Sequence, residues 1–201
     1  MKRALLILPL FWPLLLANTL VAVEQHCIIP DRGHFRIHVG SAGLFGSFGH
    51  DHSIEARKIT GCAVIDPNDL ARSSVKLDFA TADIRVMDPK ESEKNRAEIQ
   101  KTMETQVLQV SEYPRVTFES TGVEQESGLN RLRLRGNLTI RGKTLPVTIP
   151  VTVTRLSDGT YRAMGAYRFK QSSFLIKPIQ LAGGTVKVKD ELETEFELFL
   201  K

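Results

Sequence analysis

From Leu132 to Val153 apolar and polar positions alternate with a period of two. Leu132, Leu134, Leu138 and Ile140 share one phase, with Gly136 among them. Arg131, Arg133, Arg135, Asn137 and Thr139 share the other. After Arg141-Gly142-Lys143-Thr144 the phase resets: Leu145, Val147, Ile149, Val151 and Val153 now oppose Pro146, Thr148, Pro150, Thr152 and Thr154. Alternation on both sides of a short Gly-containing turn predicts a half-buried antiparallel hairpin. An apolar face of this length needs a partner, and more sheet curling over it is the simplest one.

The same period recurs along the chain. His26 to Ile29 predicts a short strand, ended by the turn cluster Pro30-Asp31-Arg32-Gly33. Phe35, Ile37 and Val39 predict a second. The stretch GSAGLFGSFG that follows reads as a compact apolar loop or a short irregular helix. His50 to Val64 predicts one long strand with a phase slip near Lys58, the mark of a bulge or bend. After the turn Asp66-Pro67-Asn68-Asp69, Val75, Leu77 and Phe79 alternate, continued loosely through Ile84 and Val86. Asp88-Pro89-Lys90-Glu91 reads as a helix start, with Asp88 as N-cap and Pro89 at the first position. That helix should run to about Val107, with Ile99, Met103 and Val107 along one apolar edge. Tyr113-Pro114 ends the segment, and Val116 and Phe118 begin another strand. Beyond the hairpin, Tyr161, Ala163, Gly165, Tyr167 and Phe169 form one face. Leu192, Thr194, Phe196, Leu198 and Leu200 form the last, against Glu191, Glu193, Glu195 and Glu197.

Eight or more alternating strands with one helix inserted after the fourth or fifth predict an all-β fold. Closure removes the exposed edges of so long an antiparallel sheet, so the expected architecture is an eight-stranded antiparallel barrel. A barrel of eight strands is either filled by side chains or holds one small ligand. The small residues Ala163 and Gly165 on the presumed inward face favour a cavity. The opposing expectation is that large residues across the barrel fill the gap.

Composition narrows the setting. The chain has 201 residues, 42% apolar and 25% charged, which suits one domain over 23–201. MKRALLILPLFWPLLLANTLVA, residues 1–22, has the basic start and short apolar run of a secretory signal peptide. A membrane anchor competes, but Pro9 and Pro13 interrupt the run, which is shorter than the roughly 20 residues a span needs. The expected location is therefore the periplasm or the exterior. Removing Lys2 and Arg3 with the leader leaves 25 basic against 23 acidic residues, too small an excess to indicate nucleic acid. In an oxidising compartment Cys27 and Cys62 are candidates for one disulfide; two buried free thiols is the alternative. A row of four glutamates on one strand face repels itself unless basic residues flank it. The expectation is that it lies beside Arg162 and Arg168. Arg131, Arg133 and Arg135 read as a solvated face, with transient contact to an anionic membrane surface as the alternative.

The hairpin and its surroundings resemble the YceI-like family, exported lipocalin-like barrels associated with polyisoprenoid binding. The resemblance runs from about Glu24 to Lys201. Its most specific part is VLQVSEYPRVTFES followed by RGNLTIRGKTLPVTIPV, matched at Tyr113, Pro114, Phe118, Gly136, Leu138, Thr139, Gly142, Leu145, Pro146 and Val147. Phe174, Ile176 and VKVKDELETEFEL match at the end. The front departs: Arg32-Gly33-His34 and Gly49-His50-Asp51-His52 stand where many members carry a His-Ser pair and an alternating strand. The resemblance implies an apolar tunnel that holds an isoprenoid tail, with no catalytic residues and no required cofactor. Phe118, Leu138, Ile140, Val147, Ile149, Val151, Tyr167 and Phe169 are the candidate lining. The partner is then an amphiphilic lipid, and the oligomeric state stays open, a homodimer being one option.

Candidate chemistry lies at the front. His26, His34, His38, His50 and His52 fall in one short region. His50 and His52 share a strand face and are candidate ligands for zinc or copper, with Asp51 as an orienting carboxylate. The competing reading has both hydrogen-bonding loop backbone at the barrel mouth. There is no G-x-S-x-G and no phosphate-cradling Gly loop with a Lys-Ser/Thr ending.

Overall fold

Where the sequence alternates, the backbone is extended. The computed structural model describes residues 23–42, 52–128, 130–181 and 186–201. In chain order the strands are β1 (Glu24–Val39), β2 (Ser41–Ala42), β3 (His52–Ala56), β4 (Thr60–Ile65), β5 (Ser74–Ala80), β6 (Ile84–Val86), β7 (Arg115–Gln125), β8 (Arg131–Ile140), β9 (Lys143–Arg155), β10 (Tyr161–Lys170), β11 (Gln180–Leu181), β12 (Val186–Val188) and β13 (Glu191–Leu200). One helix, α1 (Glu93–Thr102), lies between β6 and β7, one or two strands later than expected. The expected leader over 1–22, His50 and most of the Gly-rich stretch fall outside the described residues.

Neighbouring strands run β13-β10-β9-β8-β7-β5-β4-β1, and β1 pairs back onto β13. These eight therefore close into an antiparallel barrel, which satisfies every edge of the ring. β1 serves two neighbours on one side: Glu24–Cys27 pair with β4 and Arg36–Val39 pair with β3. β6 joins β3, so β3 and β6 extend the wall beyond β4.

The central hairpin is the most regular part of the ring. β8 and β9 stay in register from Arg131–Thr152 to Ile140–Lys143, joined by Arg141 and Gly142 alone. Both are left-handed, at φ 50° and 70°. That turn matches the twist of the strands it joins. Gly142 also lies against Tyr113, whose Cε1 would be 2.8 Å from an added Cβ. Tyr113 and Gly142, two residues of the family-like pattern, are thus in contact.

Three local expectations are corrected. Pro30-Asp31-Arg32-Gly33 is a bulge inside the continuous strand β1, not a turn between two strands. Pairing with β13 shifts between Ile28 and Gly33, where five steps along β1 oppose two along β13, and Asp31 and Gly33 accommodate the three extra residues at positive φ. His50 to Val64 is not one strand. Lys58, at φ 52°, breaks it into β3 and β4, which pair with opposite halves of β1. The helix starts at Glu93, with Ser92 as N-cap accepting from the Asn95 N–H. Asp88 does not cap it: its carboxylate is occupied by the Lys90 N–H and by His52. The far end agrees, since a π-turn carries the helix on through Met103–Val107.

α1 also protects a sheet edge. The Gln100 side chain accepts from the Val86 N–H at 2.9 Å and donates to the Ile84 carbonyl at 3.0 Å, so one amide satisfies β6 where no strand follows. At the opposite end of the barrel the disulfide Cys27–Cys62 ties β1 to β4. Closing a loop with a sequence separation of 35 is worth about 4 kcal/mol in the chain-entropy account.

The glutamate row faces outward between two basic strands. Arg162 Nε lies 2.5 Å from Glu197, and Arg168 lies 3.0 Å from Glu193, both from β10. From β1, Arg36 and His38 each lie 3.4 Å from Glu195. On the arginine row, Arg135 pairs with Glu124 at 3.1 Å and Arg133 with Glu126 at 3.6 Å, as befits a solvated face.

Candidate functional site: an apolar cavity along the barrel

The inward face of the ring encloses a cavity of about 520 Å³. That lies within the roughly 300–1,000 Å³ of small-molecule sites. Its wall takes side chains from all eight ring strands, for example Phe35, Ala63, Leu77, Phe118, Leu134, Ile149, Ala163 and Phe196. Most are hydrocarbon. An apolar enclosure of this kind holds water poorly, because a water needs two to four polar partners.

Packed clusters bound the cavity. At one end Ala63, Ile65, Tyr161 and Leu200 are buried together, with Leu70 from a short 3-10 turn packed against them. At the other end Ile140, Phe174 and Ile176 form a cluster with Val107 and Phe169. Phe174 is 1% exposed and meets the Phe169 ring edge-on at 5.6 Å. Along the side, Met103 joins Ala56, Phe79, Ile84 and Val86 beneath the helix. The helical edge expected from Ile99, Met103 and Val107 does line the cavity.

Of the eight candidate lining residues, Phe118, Leu138, Ile140, Ile149, Val151, Tyr167 and Phe169 contribute to the cavity wall. Val147 does not. It is buried opposite Gly136, the position over which the Phe118 ring lies. An added Cβ on Gly136 would sit 2.5 Å from Phe118 Cζ, and one on Gly165 would sit 2.6 Å from Phe196 Cζ. The space expected beside Gly165 is thus taken by Phe196, so the cavity coexists with local filling. Both glycines are covered by a cross-strand aromatic ring.

Polar groups are few and lie mostly at the helix end. His52, Glu98, Thr102, Gln171 and Thr194 reach the wall there. Gln171 donates to the Lys189 carbonyl at 2.8 Å, and Thr194 to the Tyr167 carbonyl at 3.0 Å. Burial raises the Tyr167 hydroxyl above its ordinary pKa, so it stays a neutral donor in the lumen. His52 Nδ1 is 3.2 Å from Asp88 Oδ2.

The described histidines do not gather. His34 and His38 point outward to Glu197 and Glu195. His26 packs edge-on against Tyr161, with ring centroids 4.8 Å apart, near the disulfide. His52 faces the cavity at the helix end, and His50 is outside the described residues. Sequence reasoning missed Asp88 and Glu91 as the neighbours of His52, because Asp88-Pro89 also has the form of a helix start.

Known proteins place this barrel. A family model described as a YceI-like domain matches residues 31–200. Protein YceI of Salmonella arizonae is 27% identical over 199 residues, covering 94% of this chain and 86% of that protein. A UPF0312 protein of Azotobacter vinelandii is 32% identical over 127 residues, which span 62% of this chain and 55% of that relative. Among solved structures, BcnA of Burkholderia cenocepacia superposes with a TM-score of 0.69 at 20% identity, covering 86% of this chain and 98% of that one. A polyisoprenoid binding domain from Saccharophagus degradans, implicated in plant cell wall breakdown, gives 0.63 at 11% identity over 90% and 99%. At such identities these likenesses speak for the fold, and the match over 31–200 for descent: the chain belongs to the YceI-like family.

Proposed function

We propose that this protein is an exported carrier that buries the hydrocarbon tail of a polyisoprenoid or similar amphiphilic lipid in its barrel, without chemistry on the ligand. The observation that carries the reading is the cavity of about 520 Å³ with an almost wholly hydrocarbon wall. Each methylene transferred from water to such a wall contributes about 0.8 kcal/mol, so a long tail binds tightly with few polar contacts. The concentration of His52, Glu98, Thr102 and Gln171 at the helix end favours the lipid head group there. The polyisoprenoid binding domain from Saccharophagus degradans, with the same fold, supports this ligand class. The Cys27–Cys62 disulfide and the signal-like start support export to an oxidising compartment.

Native mass spectrometry of the untagged protein, purified from its own host, tests the reading. A co-purifying lipid mass, or stoichiometric uptake of a long-chain isoprenoid alcohol by the delipidated protein, is the expected result. A bare polypeptide mass together with no uptake on titration would overturn it.

A further inference from the structure

We infer that His52, Asp88 and Glu91 form a site for a divalent transition-metal ion of the zinc class at the helix end of the barrel. One imidazole nitrogen and two carboxylates converge there, with ligand atoms all within 4.8 Å of one another. His52 Nδ1 lies 3.2 Å from Asp88 Oδ2. Tetrahedral zinc with bonds of about 2.0–2.1 Å has ligand–ligand edges of about 3.3 Å, so this pair already spans one edge. The Glu91 side chain, only partly buried, offers the third ligand atom within that 4.8 Å span.

The three residues come from two places in the chain. β3 supplies His52, and the loop between β6 and α1 supplies both carboxylates. That loop is held in shape: Arg96 Nη1 donates to the Asp88 carbonyl at 3.3 Å and to the Glu91 carbonyl at 2.8 Å, and the Lys90 N–H donates to Asp88 Oδ1 at 3.0 Å. Asn95 Nδ2 donates to Glu91 Oε2 at 2.9 Å, which orients that carboxylate from outside the site. These Arg96 guanidinium bonds go to backbone carbonyls rather than to the carboxylates.

A hydrogen-bonded His52–Asp88 pair joining β3 to the loop explains two of the residues but not the third. An imidazole among carboxylates selects a transition ion over magnesium or calcium, and three protein ligands leave a fourth position open. The Asp88 side chain is 4% exposed and that of His52 24%, so the carboxylate is dry while an ion can still reach the imidazole. The inference does not depend on what fills the cavity.

Untagged, chelator-stripped protein titrated with Co²⁺ and then Zn²⁺ tests it. Wild type should take up one equivalent of Co²⁺ with visible d–d absorption, and Zn²⁺ should displace it. His52→Ala and Glu91→Gln should each weaken binding by at least about tenfold. Circular dichroism and the apo melting temperature confirm folding, and the conservative Glu91→Gln keeps the test decisive if His52→Ala is unstable. No stoichiometric uptake by wild type, or uptake by folded Glu91→Gln as tight as wild type, would overturn the site.

Discussion

Replacing Gly165 by alanine would put a Cβ 2.6 Å from both the Phe196 ring and the Pro150 carbonyl oxygen. The ring can tilt, but the carbonyl belongs to the β9 backbone and cannot move without disturbing its pairing with β10. Overpacking of this kind costs about 1–3 kcal/mol. Urea denaturation should show the Gly165→Ala unfolding free energy lowered by that amount, as a lower midpoint at unchanged slope, whereas an unaltered midpoint would mean that the backbone yields freely. The sequence shows why this glycine is easy to misread. It stands in phase with Tyr161, Ala163, Tyr167 and Phe169, so its inward direction is legible. The ring that covers it comes from a strand some thirty residues away and leaves no local mark. Gly136 beneath Phe118 is the same case, and Val147, paired with Gly136, takes no part in the cavity wall.

At the scale of the element, Gln100 performs the work of a missing strand. Its amide satisfies the Val86 N–H and the Ile84 carbonyl, both on buried residues of β6. Gln100→Leu keeps the helix propensity and much of the volume but leaves the Val86 N–H without this partner, at about 1–3 kcal/mol, while the Ile84 carbonyl keeps the Arg85 guanidinium at 3.2 Å. Hydrogen exchange should report the loss first at the Val86 amide, with a smaller change in β8 and β9. Unchanged protection at Val86 would show that the helix does not guard this edge. Elements whose pattern is purely local were readable from the sequence: β8, β9, β10 and β13 fall where alternation puts them. The errors arose where a distant partner decides. The Pro-Asp-Arg-Gly cluster has turn chemistry, yet β13 runs past it and makes it a bulge. Asp88 has the form of an N-cap, yet His52 reaches it across the sheet extension.

For the whole molecule, the consequence of a closed ring around an open lumen is that some inward side chains should tolerate growth. Ile149 and Leu134 face each other across β8 and β9, both line the cavity, and both are only partly buried. Adding volume at Ile149 therefore fills vacant space, whereas adding it at Phe118, 4% exposed, would strain a packed contact. Ile149→Trp should fold with a melting temperature close to that of wild type, since it buries more apolar surface without displacing neighbours. It should also lose most of its capacity for a long apolar chain, because the ring takes up part of a cavity of about 520 Å³. Fluorescence is a direct readout: the sequence has one native tryptophan, Trp12, so in protein expressed from residue 23 onward the new indole reports the lumen alone. A blue-shifted emission, unresponsive to added isoprenoid alcohol while wild type takes that alcohol up, is the expected pair of observations. Red-shifted emission in a stably folded variant would place the side chain in water and count against an enclosed apolar lumen. The period-two pattern made the inward face of the hairpin legible. The depth of the cavity was not, because it depends on how the aromatic rings of β7 and β13 lie over glycines on their neighbours.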